Sequence, residues 1–272
     1  MAFRMTRQLP SFKGVVAGST ATLDVPLGWT YHSFLITYSS VTLAELNEIR
    51  LLVDGRTVQR YKGGSARLDT INQYSGMSAA NGVIRLEQDR YSLITRDAIE
   101  LSALGTGAQG NDIGPQPEQV TIEVDIDSAA ASPVLSASAI RSASTPVGRI
   151  LELREFGYNP SASGEFQISD LPLGDGWPIN KLYFFSSDIN SVQVERDDRT
   201  IFKRKPAEND LVQSDGIRTP QAGLYVVDPS EIGYGSDDIV TEGVQDFRIT
   251  LDMAAAGSLP VVVEYLKTYT RQ

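Results

Sequence analysis

One pattern occurs twice in this chain, and that repeat limits what the chain can fold into. Asp24-Val25-Pro26-Leu27-Gly28 is followed by an aromatic-rich segment and then by Ile49-Arg50-Leu51-Leu52-Val53-Asp54-Gly55-Arg56-Thr57-Val58, closed by Lys62. Asp170-Leu171-Pro172-Leu173-Gly174 leads through another aromatic-rich segment to Val192-Gln193-Val194-Glu195-Arg196-Asp197-Asp198-Arg199-Thr200-Ile201, closed by Lys205. A third landmark keeps the order: Asp127-Ser128-Ala129-Ala130-Ala131, then Asp252-Met253-Ala254-Ala255-Ala256. Matches in one order with strand-like flanks are most simply explained by duplication, and stacked or tandem copies of one unit follow from it. A chain of 272 residues holds two domains of ordinary size. The expected division is 1–143, a first domain with an N-terminal arm, and 144–272, joined within residues 142–148.

Periodicity supplies the elements of each copy. Residues 19–25 alternate Thr20, Thr22 and Asp24 with Ala21, Leu23 and Val25, the period of two of a half-buried strand, and Pro26 and Gly28 end it. Residues 31–38 are aromatic and β-branched and predict a second strand, with His32 inside it as a packed or surface residue. Thr42 and Glu45 have capping-box spacing, which predicts one helical turn. Asp54-Gly55 between two apolar runs predicts a hairpin with a type I′ turn, and Asp198 in place of the glycine points to another turn type in the second copy. Leu68, Ile71 and Tyr74 predict a short surface helix within residues 65–82, with residues 206–213 as its counterpart. Residues 83–86 and 94–104 read as strands, and the Gly- and Pro-rich residues 105–119 as an exposed loop. Ile122, Val124 and Ile126, and in the second copy Phe247, Ile249 and Leu251, line one strand face before the Asp-x-Ala-Ala-Ala turn and a final strand. The N-terminus carries Arg4, Arg7 and Lys13 with no acid before Asp24, and reads as a polar arm or first strand with little to contribute to a core. About eight short strands per half, with unequal loops, predict an all-β chain: a double jelly-roll of two tandem eight-stranded sandwiches with short surface helices.

The residue inventory excludes several chemistries. No cysteine is present, which removes disulfides, thiolate catalysis and the common zinc sites. A single histidine leaves little for a triad hydrolase or a histidine-rich metal site. A net charge of -10 argues against direct nucleic-acid binding, which rests on neutralising phosphates. No apolar run reaches the ~20 residues that span a bilayer. Glu123, Asp125 and Asp127 share a strand face and, with Asp237-Asp238, are weak calcium candidates that read more simply as solvated carboxylates. Gly105, Gly107 and Gly110 lack the lysine and helix of a phosphate loop. Trp29 and Trp177 follow the two Pro-Leu-Gly landmarks, where equivalent packing is the simpler reading than sugar stacking. No catalytic, cofactor-binding or metal residue is therefore assigned, and no enzyme is expected.

Particular residues also carry a resemblance. These are the Asp-x-Pro-Leu-Gly landmark before the aromatic strand, Val53-Asp54-Gly55-Arg56 with Tyr61-Lys62, the segment Asp125-Ile126-Asp127-Ser128-Ala129-Ala130-Ala131-Ser132-Pro133-Val134-Leu135-Ser136-Ala137, and Val263-Glu264-Tyr265. Together they resemble the major capsid protein of corticovirus-like bacteriophages, tailless and with an internal membrane. The resemblance implies upright double jelly-rolls that form homotrimers of pseudo-sixfold outline, tiling an icosahedral shell. It implies neighbouring trimers, a vertex (penton) protein and the underlying viral membrane as partners, with assembly in the bacterial cytoplasm and residence in the virion. No cofactor is implied, calcium being the one candidate. The alternatives are a tandem β-sandwich glycan-binding module or viral spike protein, and behind it a glycan-active enzyme.

Overall fold

A computed structural model describes residues 3–63, 65–108, 110, 114–174, 176–235 and 238–270. The chain divides into two compact units, Met1–Glu152 with Thr268–Gln272, and Leu153–Lys267. In the first, one antiparallel sheet runs β1 (Met5–Gln8), β9 (Val134–Ser142), β3 (Thr30–Ser39), β6 (Val83–Glu87), with the short β7 (Leu104–Gly105) also on β3. The second sheet runs β2 (Thr20–Asp24), β8 (Val120–Ile126), β4 (Leu46–Val53), β5 (Arg56–Tyr61).

The second unit repeats this path. One sheet runs β10 (Arg149–Tyr158), β17 (Leu259–Thr268), β12 (Ile179–Phe184), β15 (Tyr225–Val227), and the other β11 (Gly164–Ile168), β16 (Phe247–Met253), β13 (Ile189–Arg196), β14 (Arg199–Arg204). Apart from the hairpins β4–β5 and β13–β14 and the short β7, successive strands alternate between sheets, in the same order twice, so each strand of the second unit has a counterpart in the first. This is the double jelly-roll the sequence predicts. Alternation builds both cores: Ile122, Val124 and Leu51 are fully buried in the first, and Leu182, Val194, Ile249, Leu251 and Val263 in the second.

Several expectations change on contact with the structure. Residues 94–104 form a helix, α2 (Arg96–Glu100), because Thr95 caps it by accepting the Ala98 N–H, and only Leu104–Gly105 is strand. Gly105 and Gly107 are buried, since any side chain there would overlap the Pro146 carbonyl oxygen or Ser144, so the loop that follows is exposed only beyond them. The N-terminal residues form an edge strand, paired from Met5–Arg141 to Gln8–Ser138, and Leu9 and Phe12 behind it are buried. That segment therefore belongs to the core it was expected to spare. The helix α1 (Ser65–Tyr74) buries Leu68, Ile71 and Tyr74 as predicted. Its counterpart α3 (Pro206–Gln213) inverts the rule: Asn209 and Gln213 are buried and both donate to Val226 O, while Leu211 is 79% exposed.

The third landmark is out of step. Ile122 pairs with Leu51 and Ile249 with Val194, and farther along Ile126 pairs with Leu46 and Met253 with Ile189. Asp127 N donates to Glu45 O and Ala254 N to Asp188 O, both at 2.7 Å. Asp127 thus corresponds to Ala254, and Asp125 to Asp252, a slip of two residues from the sequence match. A two-residue shift keeps every apolar side chain inward, so alternation alone cannot detect it.

The turns after β4 and β13 are alike despite the missing glycine. Asp54 and Gly55 have φ of 51° and 74°, Asp197 and Asp198 of 48° and 61°, the left-handed pair of a type I′ turn. Each leading aspartate locks its turn to the loop before β8 or its counterpart β16: Asp54 Oδ1 accepts from Glu118 N and Gln119 N, and Asp197 Oδ1 from Gln245 N and Asp246 N. Asp197→Ala is expected to lower stability by about 2 kcal/mol, because it removes two hydrogen bonds and leaves alanine in a left-handed conformation. Asp198→Gly should change it by less than about 1 kcal/mol, relief of strain being offset by the entropy of glycine. Denaturant melts of the two variants check the difference.

Candidate functional site

Equivalent strands carry an equivalent irregularity at the centre of each unit. The pairing of β3 with β9 jumps from Tyr31–Arg141 to Ser33–Ile140, and that of β12 with β17 from Ile179–Tyr265 to Lys181–Glu264. His32 and Asn180 are the extra residues, each a polar side chain 1–2% exposed. A bulge breaks alternation and re-aims the side chain it adds, so each unit places a polar group where the strand pattern predicts an apolar one.

In the first unit, His32 Nδ1 lies 3.0 Å from Asp89 Oδ1 and Nε2 lies 2.9 Å from Ser142 Oγ. The carboxylate accepts the Nδ1 proton, leaving Nε2 to accept from the serine hydroxyl. Asp89 Oδ2 also meets Arg4 at 2.8 Å, and Arg4 and Arg96 both pair with Glu100 at 2.9 Å. The order serine, histidine, aspartate is that of a nucleophilic triad. Here, however, Ser142 is 6% exposed, His32 1%, and Asp89 is shared with an arginine. The trio joins the end of β9, the bulge of β3 and the second residue beyond β6 to Arg4, just ahead of the N-terminal strand, and acts as a lock. Asp89 and Ser142 lie 57 and 110 residues from His32, so sequence reasoning had no spacing by which to find them. The one available signal was a histidine within an aromatic strand.

Beside this trio, Glu87 faces Ser33 across the sheet. Burial pushes its carboxyl up to about 7, with Asp89 adding to the shift and Arg85 opposing it. Its counterpart in the second unit is Asp228, which follows Val227, the partner of Leu182. Asp228 is 1% exposed and receives Arg218 Nε at 2.7 Å, Ser230 N at 3.0 Å and Ser230 Oγ at 2.6 Å, with Lys181 Nζ at 3.7 Å. Burial pushes this carboxyl up, but the Lys181 and Arg218 charges and the Ser230 hydrogen bond outweigh it and hold it below the usual range. Asn180 at the bulge donates to Glu264, which also accepts from Tyr183 OH at 3.4 Å.

The residues singled out in the sequence are placed as follows. Glu123 and Asp125 converge with Glu48 on the Arg50 guanidinium at 2.6–3.0 Å. Asp127 stands apart, accepting from Ala129 N and Asn47. Among the described residues no group of three or more His, Cys, Asp or Glu side chains could hold a metal ion. Asp238 lines a cleft of about 360 Å3 in the second unit, and Asp237 lies outside the described residues. Trp29 is half-buried beneath Arg141 at 3.9 Å. Trp177 carries Arg154 at 4.3 Å and Lys267 at 3.6 Å on its ring, with Tyr265 edge-on at 5.1 Å. Arg141 and Tyr265 pair with the residues just before the two bulges, so the tryptophans have equivalent packing roles.

The family comparisons cover both units. Residues 6–144 match the viral coat protein P2 N-terminal domain and residues 150–269 the viral coat protein P2 C-terminal domain. The chain is 26% identical over 271 residues to the major capsid protein P2 of Pseudoalteromonas phage PM2, covering 97% of each. The crystal structure of that phage protein superposes with a TM-score of 0.89 at 24% identity, over 99% of both chains. The atomic structure of Sulfolobus Turreted Icosahedral Virus contains a chain that superposes at 0.63 with 9% identity, over 97% of this chain and 91% of that one.

The two buried carboxylates respond differently to mutation and pH. Asp228→Ala is expected to cost about 3 kcal/mol, because it takes the buried carboxylate from Lys181 and leaves Arg218 to the more exposed Asp215. Glu87 holds its proton more tightly folded than unfolded. Its contribution is therefore complete below the unfolded value of 4.5 and is lost as the pH rises through about 7. Melting temperature should fall from pH 5 to pH 8 in the parent chain and fall less in Glu87→Gln; equal slopes would contradict this.

Proposed function

The chain belongs to the viral coat protein P2 family and is a structural capsid subunit resident in the virion; on that premise we propose that three copies associate into a capsomer of pseudo-sixfold outline. One observation carries the proposal: the strand path of the first unit recurs in the second. Three copies then present six similar walls, and a lattice built for hexamers accepts a trimer. Such trimers meet neighbouring trimers laterally, a separate penton protein at the vertices, and the internal membrane beneath, with assembly in the bacterial cytoplasm. Weak lateral contacts repeated by symmetry add up over the shell.

The role is structural, not enzymatic, and we assign it no cofactor. Arg50 pairs with Glu123 and Asp125, two of the carboxylates that suggested calcium. The net charge of -10 speaks for a subunit that leaves the genome to other components. The glycan-binding reading needs open stacking platforms, and both tryptophan rings are covered by cations.

Light scattering after size exclusion tests the oligomer. The expected mass is three times the 29.6 kDa chain. A strict monomer at micromolar concentration would overturn the trimer.

A further inference from the structure

Two equivalent edge strands differ in what covers them. β5 and β14 are the outermost strands of corresponding sheets, and both carry a bulge at the same place. Pairing jumps from Leu51–Gln59 to Leu52–Thr57 in one, and from Val194–Phe202 to Glu195–Thr200 in the other. Val58 and Ile201 are thus the same position, and Gln59 and Phe202 the next. Val58 is 3% exposed and Gln59 is fully buried. Within the first unit the start of β10 closes over them: Gln59 Nε2 donates to Leu151 O at 3.4 Å, and Arg56 pairs with Glu152. Ile201 is 42% exposed, and with half-buried Phe202 it opens onto the cleft of about 360 Å3, which Ile232, 63% exposed, also lines. A partly apolar cleft beside an uncovered strand edge is an interaction surface.

The duplication identifies what fits there. The cover of β5 comes from the start of β10, and β10 is the counterpart of β1. Arg141 and Tyr265 are equivalent positions; Met5 pairs with Arg141, and the register in which Tyr269 N donates to Gly148 O sets Tyr265 opposite Glu152, so Met5 matches Glu152 and Phe3 matches Ile150. Ile150 is 6% exposed. Phe3 is 85% exposed, the highest value among the exposed large apolar side chains of the described residues. The segment that would cover β14 is therefore the one leading into β1, and its own apolar side chain lacks a cover.

We propose, resting on the capsid-subunit reading above, that the N-terminal segment of a second copy covers β14, with Phe3 entering the cleft beside Ile201, Phe202 and Ile232. The contact joins two different surfaces, so it is heterologous, and it ends growth only by closing into a ring. A ring of three satisfies every Phe3 and every cleft.

The absence of cysteine makes a direct test clean. Phe3→Cys and Ile232→Cys chains, distinguishable by a size tag, are co-expressed and treated with a short thiol-reactive cross-linker. A mixed covalent dimer is expected, with neither variant cross-linking when expressed alone. Phe3→Asp should retain the parental melting temperature and lose at least tenfold in trimer affinity. Absence of the mixed dimer while light scattering still shows a trimer overturns this contact and leaves the capsomer intact. Cross-links confined to Phe3→Cys homodimers also overturn it. A parent chain that is itself monomeric overturns the capsomer, and with it this contact.

Discussion

A charge removed from water must be answered where it sits, and both units of this protein are arranged around that requirement. Each places a carboxylate beside the bulge of its third strand, in an interior otherwise assembled from alternating apolar side chains. In the first unit the answer reaches outward: Asp89 engages His32 and Arg4, and Arg4 engages Glu100 of α2. The N-terminal strand and a helix far along the chain are held through one buried group. In the second unit the answer is local, because Arg218 and Lys181 close directly on Asp228. The copies share geometry and differ in chemistry, as expected when packing is retained and polar partners drift together.

Much of the fold could be read in the sequence because its signals are short-range. The Asp-x-Pro-Leu-Gly stops, the alternation in β2 and β8, the Thr42–Glu45 turn and the Asp54 hairpin each lie within a few residues, and all form where expected. The failures have equally physical origins. The Asp-x-Ala-Ala-Ala match slipped by two residues because alternation is blind to even shifts. α3 was placed correctly yet packs its amides inward, since Val226 O needs donors there. Residues 94–104 look like a strand by content, but Thr95 supplies a cap that favours a helix. The polar centres were the least legible, because their members come from three strands and no local pattern joins His32 to Ser142.

The same limit applies to the outer surface. Phe3 and Ile201 are ordinary apolar residues in the sequence. Their exposure becomes informative only when each is set beside the duplicate position that the chain itself has buried. An internal copy serves as a control, showing what a covered edge looks like in the same protein.

The ties to Arg4 and to the Asp54 turn also bear on the timing of folding. Arg4 waits for Glu100, 96 residues later, and His32 for Ser142, 110 residues later. Asp54 accepts from Tyr269, 215 residues away, in the tail that returns to the first unit. Closing such loops carries an entropic barrier, and non-local pairing makes folding slow. The unit that leaves the ribosome first is therefore not the unit that finishes first. Its β1 can pair with β9 and its polar centre can close once Ser142 has been made, but the tie from Tyr269 to the Asp54 turn waits for the returning tail, after the whole second unit has been synthesised.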